Sequence, residues 1–266
     1  MNERRHAPTS VSVVVPAYNE AGSIEKVIAS LEAADFCGLR LEVVIVDDGS
    51  SDGTATAALA AIERHGVADT FSVIRMPKNG GKAAALKRGF VETSGDLVIV
   101  QDADLEYDPD DIAALLRPVV AGRADAVVGS RFMGGHPRRV VYLSNTVGNR
   151  LMSMLFSALS GLHLTDVHCC YILLPGDLAR AAAPDLDSEQ WGFNPEICSL
   201  LADWRHRLRI VEVGISYYGR SKDEGKKIRM RHGVVAVLEI VKFNLRRSRP
   251  FPIALEAPAS QNILPS

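Results

Sequence analysis

No stretch of the 266-residue sequence approaches the roughly 18 uninterrupted apolar residues of a membrane-spanning helix, so none is expected. The N-terminal run Met1-Asn2-Glu3-Arg4-Arg5-His6-Ala7-Pro8 has no apolar h-region, so no secretory signal is expected either. Cysteine is scarce: Cys37, Cys169, Cys170 and Cys198, with no C-x-x-C pair. Adjacent Cys169 and Cys170 cannot readily form an unstrained bridge. Together with His168 they lack the second ligand pair of a zinc site. Reduced thiols and a cytosolic setting are therefore expected. No G-x-G-x-x-G follows the first strand-like segment, and no G-x-x-x-x-G-K-[ST] occurs, which removes the support for dinucleotide-binding and P-loop readings. Internal repeats are also absent.

With 47% hydrophobic and 23% charged residues, the chain can build one large domain with an ample core, or a domain with an appendage. The net charge of −2 hides a division. Between Trp204 and Arg249 there are 13 Lys/Arg against 4 Asp/Glu, so the remainder is acidic. A basic C-terminal segment on an acidic protein points to an anionic partner: a phosphate, a lipid head group or a nucleic acid. The segment holds four aromatics, Trp204, Tyr217, Tyr218 and Phe243, with no regular interleaving among the basic residues to support nucleic-acid binding.

Strand-like and helix-like segments alternate through the first half. Strands are predicted at 12–15, 41–46, 71–74, 97–100 and 126–128. Helices are predicted at 21–33, 51–64, 82–92 and 109–120; the first carries Ile24, Val27, Ile28 and Leu31 at helical spacing. Near-continuous apolar strands joined by helices predict an α/β fold with a mostly parallel sheet covered on both faces. The second half is less regular, with helices expected at 140–159, 194–202 and 233–245, a loop running into a strand at 166–174, and a strand at 208–218. The prolines and small residues of 250–266 predict a frayed tail.

Ligands of such sheets bind beyond the carboxyl ends of the strands, where three polar clusters fall. Pro16-Ala17-Tyr18-Asn19-Glu20 follows the first strand, Asp47-Asp48-Gly49-Ser50 the second, and Asp102-Ala103-Asp104 the fourth. Two carboxylates flanking one small residue after a buried strand repel each other and resist burial as ions. A divalent cation resolves both costs, and hard oxygen ligands suit Mg²⁺ or Mn²⁺ shared with substrate phosphates. Taken alone, the same pattern also suits a polar turn closing the strand. Gly80-Gly81-Lys82 opens a helix whose amides and lysine can approach an anion.

These motifs, in this order, resemble those of the family 2 glycosyltransferases of GT-A fold, especially the polyprenyl-phosphate hexosyltransferases. The matching residues are Val15 to Glu20, Val46 to Thr54, Asn79 to Lys82, Gln101 to Glu106, Gly129 to Phe132, Thr165-Asp166, Tyr218 to Arg220 and Lys226-Lys227. The resemblance implies a glycosyltransferase domain over residues 1–230, followed at 231–266 by a basic helix and tail. It implies that Pro16, Tyr18, Glu20, Asp48, Lys82, Asp102, Ala103 and Asp104 bind a nucleotide sugar, and that Asp102, Asp104 and Glu106 hold the metal. Arg131, Arg220, Lys226 and Lys227 fall where an acceptor phosphate is held, and with the two aspartates Arg131 and Arg220 are the residues expected to carry catalysis. Arg138, Arg139 and Arg150 are further cationic candidates. The sequence departs from the family pattern after Tyr171, where Ile172 replaces a common Lys.

The activity so implied is inverting transfer of a hexose, from a GDP-mannose or UDP-glucose type of donor, to a polyprenyl phosphate. The setting would be the cytoplasmic face of a membrane, contacted by the helices at 140–159 and 233–245. A soluble or glycan acceptor is the alternative within the same chemistry. A non-catalytic nucleotide-binding or scaffolding protein is the alternative outside it. The nucleotide, the hexose and the oligomeric state are not legible.

Overall fold

The computed structural model describes residues 6–135, 137, 139, 143–188, 192–219, 230–246 and 250. Among these residues seven strands form one sheet: β1 (Ser10–Ala17), β2 (Arg40–Asp47), β3 (Phe71–Arg75), β4 (Leu97–Val100), β5 (Ala126–Ser130), β6 (Ile172–Pro175) and β7 (Ile210–Gly214). Their order is β3-β2-β1-β4-β6-β5-β7. All neighbouring pairs run parallel except those of β6, which is antiparallel to both β4 and β5.

Every residue of β4 and β5 is buried, as a central strand covered on both faces requires. The covering helices are α1 (Ile24–Ala33), α2 (Thr54–His65), α3 (Lys82–Glu92), α4 (Ile112–Val120), α5 (Leu143–Ser160), α6 (Gly176–Ala182), α7 (Phe193–Asp203) and α8 (Met230–Leu245). α1 buries the apolar stripe Ile24, Val27, Ile28 and Leu31 read from the sequence. α3 lies so close to β1 and β2 that a Cβ on Gly89 would stand 2.3 Å from Val14 Cγ1 and 3.2 Å from Val46 Cγ2. α5, α7 and α8 pack on one another beside the sheet. Buried Ile240 and Phe243 anchor α8, and Ser199 Oγ donates to the Phe243 carbonyl at 3.0 Å.

The sheet differs from the predicted one in two ways. The strand expected over 208–218 stops at Gly214, after which Ile215 N donates to the Ser130 carbonyl and the chain turns across the rim. The reversal at β6 also changes what reaches that rim. A parallel strand delivers its exit to the carboxyl edge, whereas β6 delivers its entry, so 166–171 lies beside the ends of β4 and β5. The chain winds outward from β1 through β2 to β3 and restarts on the other side of β1 with β4. That reversal of order opens a crevice between the ends of β1 and β4, where sheets of this kind bind ligands.

Candidate active site

One wall of the crevice is a pair of loops tied together. Beyond β1, Asn19 takes a left-handed φ of 54°, which asparagine tolerates better than most residues. Its amide donates to Ser50 Oγ at 2.9 Å, and its Oδ1 accepts from Ser51 N at 3.0 Å. Glu20 N donates to Thr54 Oγ1 at 2.9 Å and Ala21 N to Asp52 Oδ2 at 3.1 Å. The exits of β1 and β2 therefore form one unit. On it Pro16 is half-buried, Tyr18 is exposed, and Glu20 accepts from Ser23 Oγ at 2.6 Å at the head of α1.

Asp48 is buried, and three donors converge on it: Gly80 N at 2.8 Å, Gly81 N at 2.8 Å and Asn79 Nδ2 at 3.0 Å. The anion met by the Gly80-Gly81 amides is thus a carboxylate of the protein itself, and Asp48 fixes the loop that launches α3. Burial pushes the Asp48 carboxyl up, against the pull of these amides. Asn79 and Gly81 are therefore structural partners of Asp48, and Gly81, at φ 87°, makes the turn into the helix.

Lys82, the first residue of α3, places Nζ 2.5 Å from Asp102 Oδ1 and 3.8 Å from Cys170 Sγ. Burial works against its ammonium, but the Asp102 charge overrides it, and the lysine stays charged far above neutral pH. Asp104 has the reverse problem. Burial, then the charges of Asp102 and Glu106, push its carboxyl up to about 7.

The acidic loop is held from below by Gln101, which lies in the matched motif without a role assigned to it, and by Tyr171, which lies outside the matched motifs. Gln101 is fully buried. Its Nε2 donates to the Asp102 carbonyl at 3.0 Å and lies 3.4 Å from that of Tyr107, while its Oε1 accepts from Tyr171 Oη at 2.5 Å. Leu105 takes φ 59°, a left-handed conformation that costs a branched side chain energy and is tolerated where surrounding bonds impose it. Glu106 N closes the turn on Asp104 Oδ1 at 3.1 Å.

Tyr217 joins this loop to the opposite wall. Its hydroxyl donates to Glu106 Oε2 at 2.7 Å, and its ring lies 5.1 Å beneath the Arg131 guanidinium. Arg131 donates through Nε and Nη2 to Asp166 at 2.6 and 2.7 Å, a bidentate pair in which Asp166 is fully buried. The wall is thus a chain, Asp166–Arg131–Tyr217–Glu106, that ends at the acidic turn. The matched motif begins at Tyr218 and leaves out Tyr217. In the sequence Tyr217 is marked by nothing more than an aromatic beyond a strand, which is common.

Among the other cationic candidates, Arg139 donates its amide to the Tyr217 carbonyl at 2.8 Å, whereas Arg150 is exposed on α5, with its guanidinium 5.7 Å from the Phe132 ring. Arg138, Arg220, Lys226 and Lys227 lie outside the described residues. Thus Asp48, Lys82, Asp102, Asp104, Glu106 and Arg131 lie along one connected set of bonds and contacts, with Pro16, Tyr18 and Glu20 on the adjoining loops.

The donor chemistry fits a divalent cation. Two hard carboxylates, one of them pushed toward its neutral form by burial and by the neighbouring carboxylates, match an ion that takes few protein ligands and completes its shell from phosphate and water. Among the described residues no group of three His, Cys, Asp or Glu is placed to hold an ion unaided. The Glu106 carboxylate is engaged by Tyr217, and it does not join Asp102 and Asp104 in such a group.

Comparison with known proteins accords with this geometry. Residues 12–176 match the model of "Glycosyl transferase family 2". A dolichol-phosphate mannosyltransferase of Pyrococcus furiosus is 38% identical over 125 residues, covering 47% of this chain and 34% of that protein. A dolichyl-phosphate beta-glucosyltransferase of Trichomonas vaginalis is 26% identical over 247 residues, covering 87% and 72%. An undecaprenyl-phosphate 4-deoxy-4-formamido-L-arabinose transferase of Edwardsiella ictaluri is 38% identical over 221 residues, covering 81% and 62%. The chain thus spans about a third of the Pyrococcus protein and most of the Trichomonas one. Among solved structures, glucosyl-3-phosphoglycerate synthase from Mycobacterium tuberculosis, in complex with Mn²⁺, UDP and phosphoglyceric acid, superposes with a TM-score of 0.63 at 22% identity, over 87% of this chain and 78% of that one. At that identity the likeness speaks for the GT-A fold alone. With the family model covering well over half of the sequence and the acidic turn seated at the β1–β4 crevice, the chain belongs to glycosyl transferase family 2.

Proposed function

We propose that the protein transfers a hexose, with inversion, from a nucleotide sugar to a polyprenyl phosphate. The observation that carries this reading is the Lys82–Asp102–Asp104 cluster at the crevice, a cation beside two carboxylates, suited to a metal-bound diphosphate. Asp102 and Asp104 would hold Mg²⁺ or Mn²⁺, which supplies Lewis-acid stabilisation to the leaving diphosphate. Pro16, Tyr18, Glu20 and Asp48 lie where the nucleoside would be received, with Ala103 keeping the floor small. An acceptor phosphate oxygen attacks the anomeric carbon from the face opposite the diphosphate. The new C–O bond forms as the C–O bond to the diphosphate breaks, and the nucleoside diphosphate departs. A phosphate monoester, with a second pKa of roughly 6, is largely a dianion at neutral pH and needs no protein base. Arg131 would lend the acceptor side its positive field, together with Arg220, Lys226 and Lys227.

The relatives named for dolichyl- and undecaprenyl-phosphate chemistry support the lipid acceptor. Exposed apolar residues support contact with a membrane surface. Leu143, Val147, Leu151 and Met154 form one stripe on α5, and Val234, Leu238 and Leu245 another on α8, which packs against it. No helix among the described residues is long and apolar enough to cross a membrane. The contact would be interfacial, on the cytoplasmic face.

Incubation with labelled GDP- and UDP-hexoses, Mn²⁺, and undecaprenyl or dolichyl phosphate tests the proposal. Label should pass to the lipid fraction and be lost on chelation of the metal. Transfer only to a soluble or glycan acceptor would overturn the lipid reading; nucleotide-sugar binding without turnover on any acceptor would overturn the catalytic one.

A further inference from the structure

The Lys82–Asp102 contact bears on how the site loads. Lys82 Nζ lies 2.5 Å from Asp102 Oδ1. A small divalent cation on that carboxylate would sit at about 2.1 Å from its oxygen. An ammonium and a divalent cation on the same carboxylate repel each other strongly across a partly buried site. Among the described residues Lys82 has one further polar contact, Cys170 Sγ at 3.8 Å, a weak and uncharged partner. It is also the first residue of α3, where the helix dipole favours an anion over a cation. A diphosphate at this point would relieve both strains at once, drawing the ammonium off Asp102 and accepting from it.

We infer that Lys82 is an internal counter-ion that competes with the divalent cation for Asp102, so that the cation and a diphosphate bind together rather than the cation binding first. Lys82 is a switchable partner, on Asp102 before loading and on the diphosphate after it. The coupling is reciprocal: whatever factor the nucleotide adds to metal affinity, the metal adds to nucleotide affinity. The inference rests on the metal-binding role proposed for Asp102 and Asp104, and its test separates the two.

Lys82→Met and Lys82→Gln remove the charge, whereas Lys82→Arg keeps it. Binding of Mn²⁺ alone, followed by the electron paramagnetic resonance of the free ion, should tighten about tenfold or more in Lys82→Met and Lys82→Gln, because a competing cation has gone. Binding of UDP or GDP at saturating Mn²⁺, measured by calorimetry, should weaken about tenfold in the same variants, through loss of a charge-assisted bond. Lys82→Arg should stay within about twofold of the parent for Mn²⁺ alone. The opposite signs from one substitution are the signature, since general damage to the site would weaken both. Mn²⁺ affinity unchanged or lower in Lys82→Gln, a variant that keeps a polar group against Asp102, would overturn the inference, as would unchanged nucleotide affinity. Failure of the parent and all variants to bind Mn²⁺, with or without nucleotide, would overturn the metal reading itself and the inference with it.

Discussion

Replacing Asp166 with Asn would leave the Arg131 guanidinium buried without its counter-charge. The pair is well formed: Asp166 has no exposed surface, the Arg131 side chain is 13% exposed, and Asp166 accepts from the backbone amide of Arg131 as well as from Nε and Nη2. Burial works against the Arg131 charge and the Asp166 carboxylate overrides it, holding the guanidinium protonated well above its usual range. Removing one partner of such a pair costs about 3–5 kcal/mol. Asparagine keeps one acceptor oxygen, so the lower end, about 3 kcal/mol, is expected. Against a total stability of about 5–15 kcal/mol this is a large share, readily measured as a fall in the urea midpoint at unchanged slope. The double variant Arg131→Met with Asp166→Leu should regain much of the loss, because an apolar pair of similar volume leaves no uncompensated charge. Asp166→Asn costing less than about 1 kcal/mol, or a double variant less stable than the single one, would refute the structural role of the pair.

Asp104→Ala should abolish metal-dependent turnover while leaving the urea midpoint in place; full activity would remove Asp104 from the metal site. Burial, helped by the Arg131 charge, holds His168 down to about 4 against an ordinary 6.5, and its Nε2 has no hydrogen-bond partner among the described residues. The unfolded chain therefore binds this proton first, so stability is full above pH 6.5 and falls as pH drops toward 4, by about 3 kcal/mol. His168→Gln should flatten that limb of the stability–pH curve, and an unchanged curve would count against the assignment. Gly89→Ala should cost about 1–3 kcal/mol, since the added methyl meets Val14 at 2.3 Å; a neutral result in thermal melts would mean α3 can slide along the sheet. Arg220→Ala should raise the concentration of acceptor required more than that of donor in steady-state kinetics, and the reverse pattern would move Arg220 to the donor side.

The acidic rim was legible because it is coded locally. Apolar runs such as Leu97 to Val100 mark buried strands, and a parallel βαβ unit brings every strand exit to the same edge. Once the runs are recognised, Asp48 and Asp102–Asp104 must share that edge whatever the detailed packing. Side-chain partners were less legible, because a motif fixes position along the chain and not the bond made. Gly80-Gly81 reads as an anion cradle, and it is one, but the anion is Asp48. Glu106 reads as a third acidic ligand, yet the hydroxyl that claims it comes from Tyr217, 111 residues away.

The reversal of β6 shows where sequence reasoning stops for a physical reason. Ile172-Leu173-Leu174-Pro175 is apolar throughout, so neither alternation nor composition reveals which way it runs. Direction is decided by the connection, and the segment that enters β6 is irregular. Running antiparallel, β6 brings its entry to the carboxyl edge of its neighbours. It thereby delivers Asp166 to Arg131, Cys170 to Lys82 and Tyr171 to Gln101. A parallel β6 would deliver Pro175 and Gly176 there instead, leaving Arg131 without its carboxylate and Gln101 without its phenol. One strand's direction thus converts a rim of acidic loops, readable from the first half of the chain, into a walled site in which the entry to β6 supplies the counter-charge of Arg131 and the phenol that fixes Gln101.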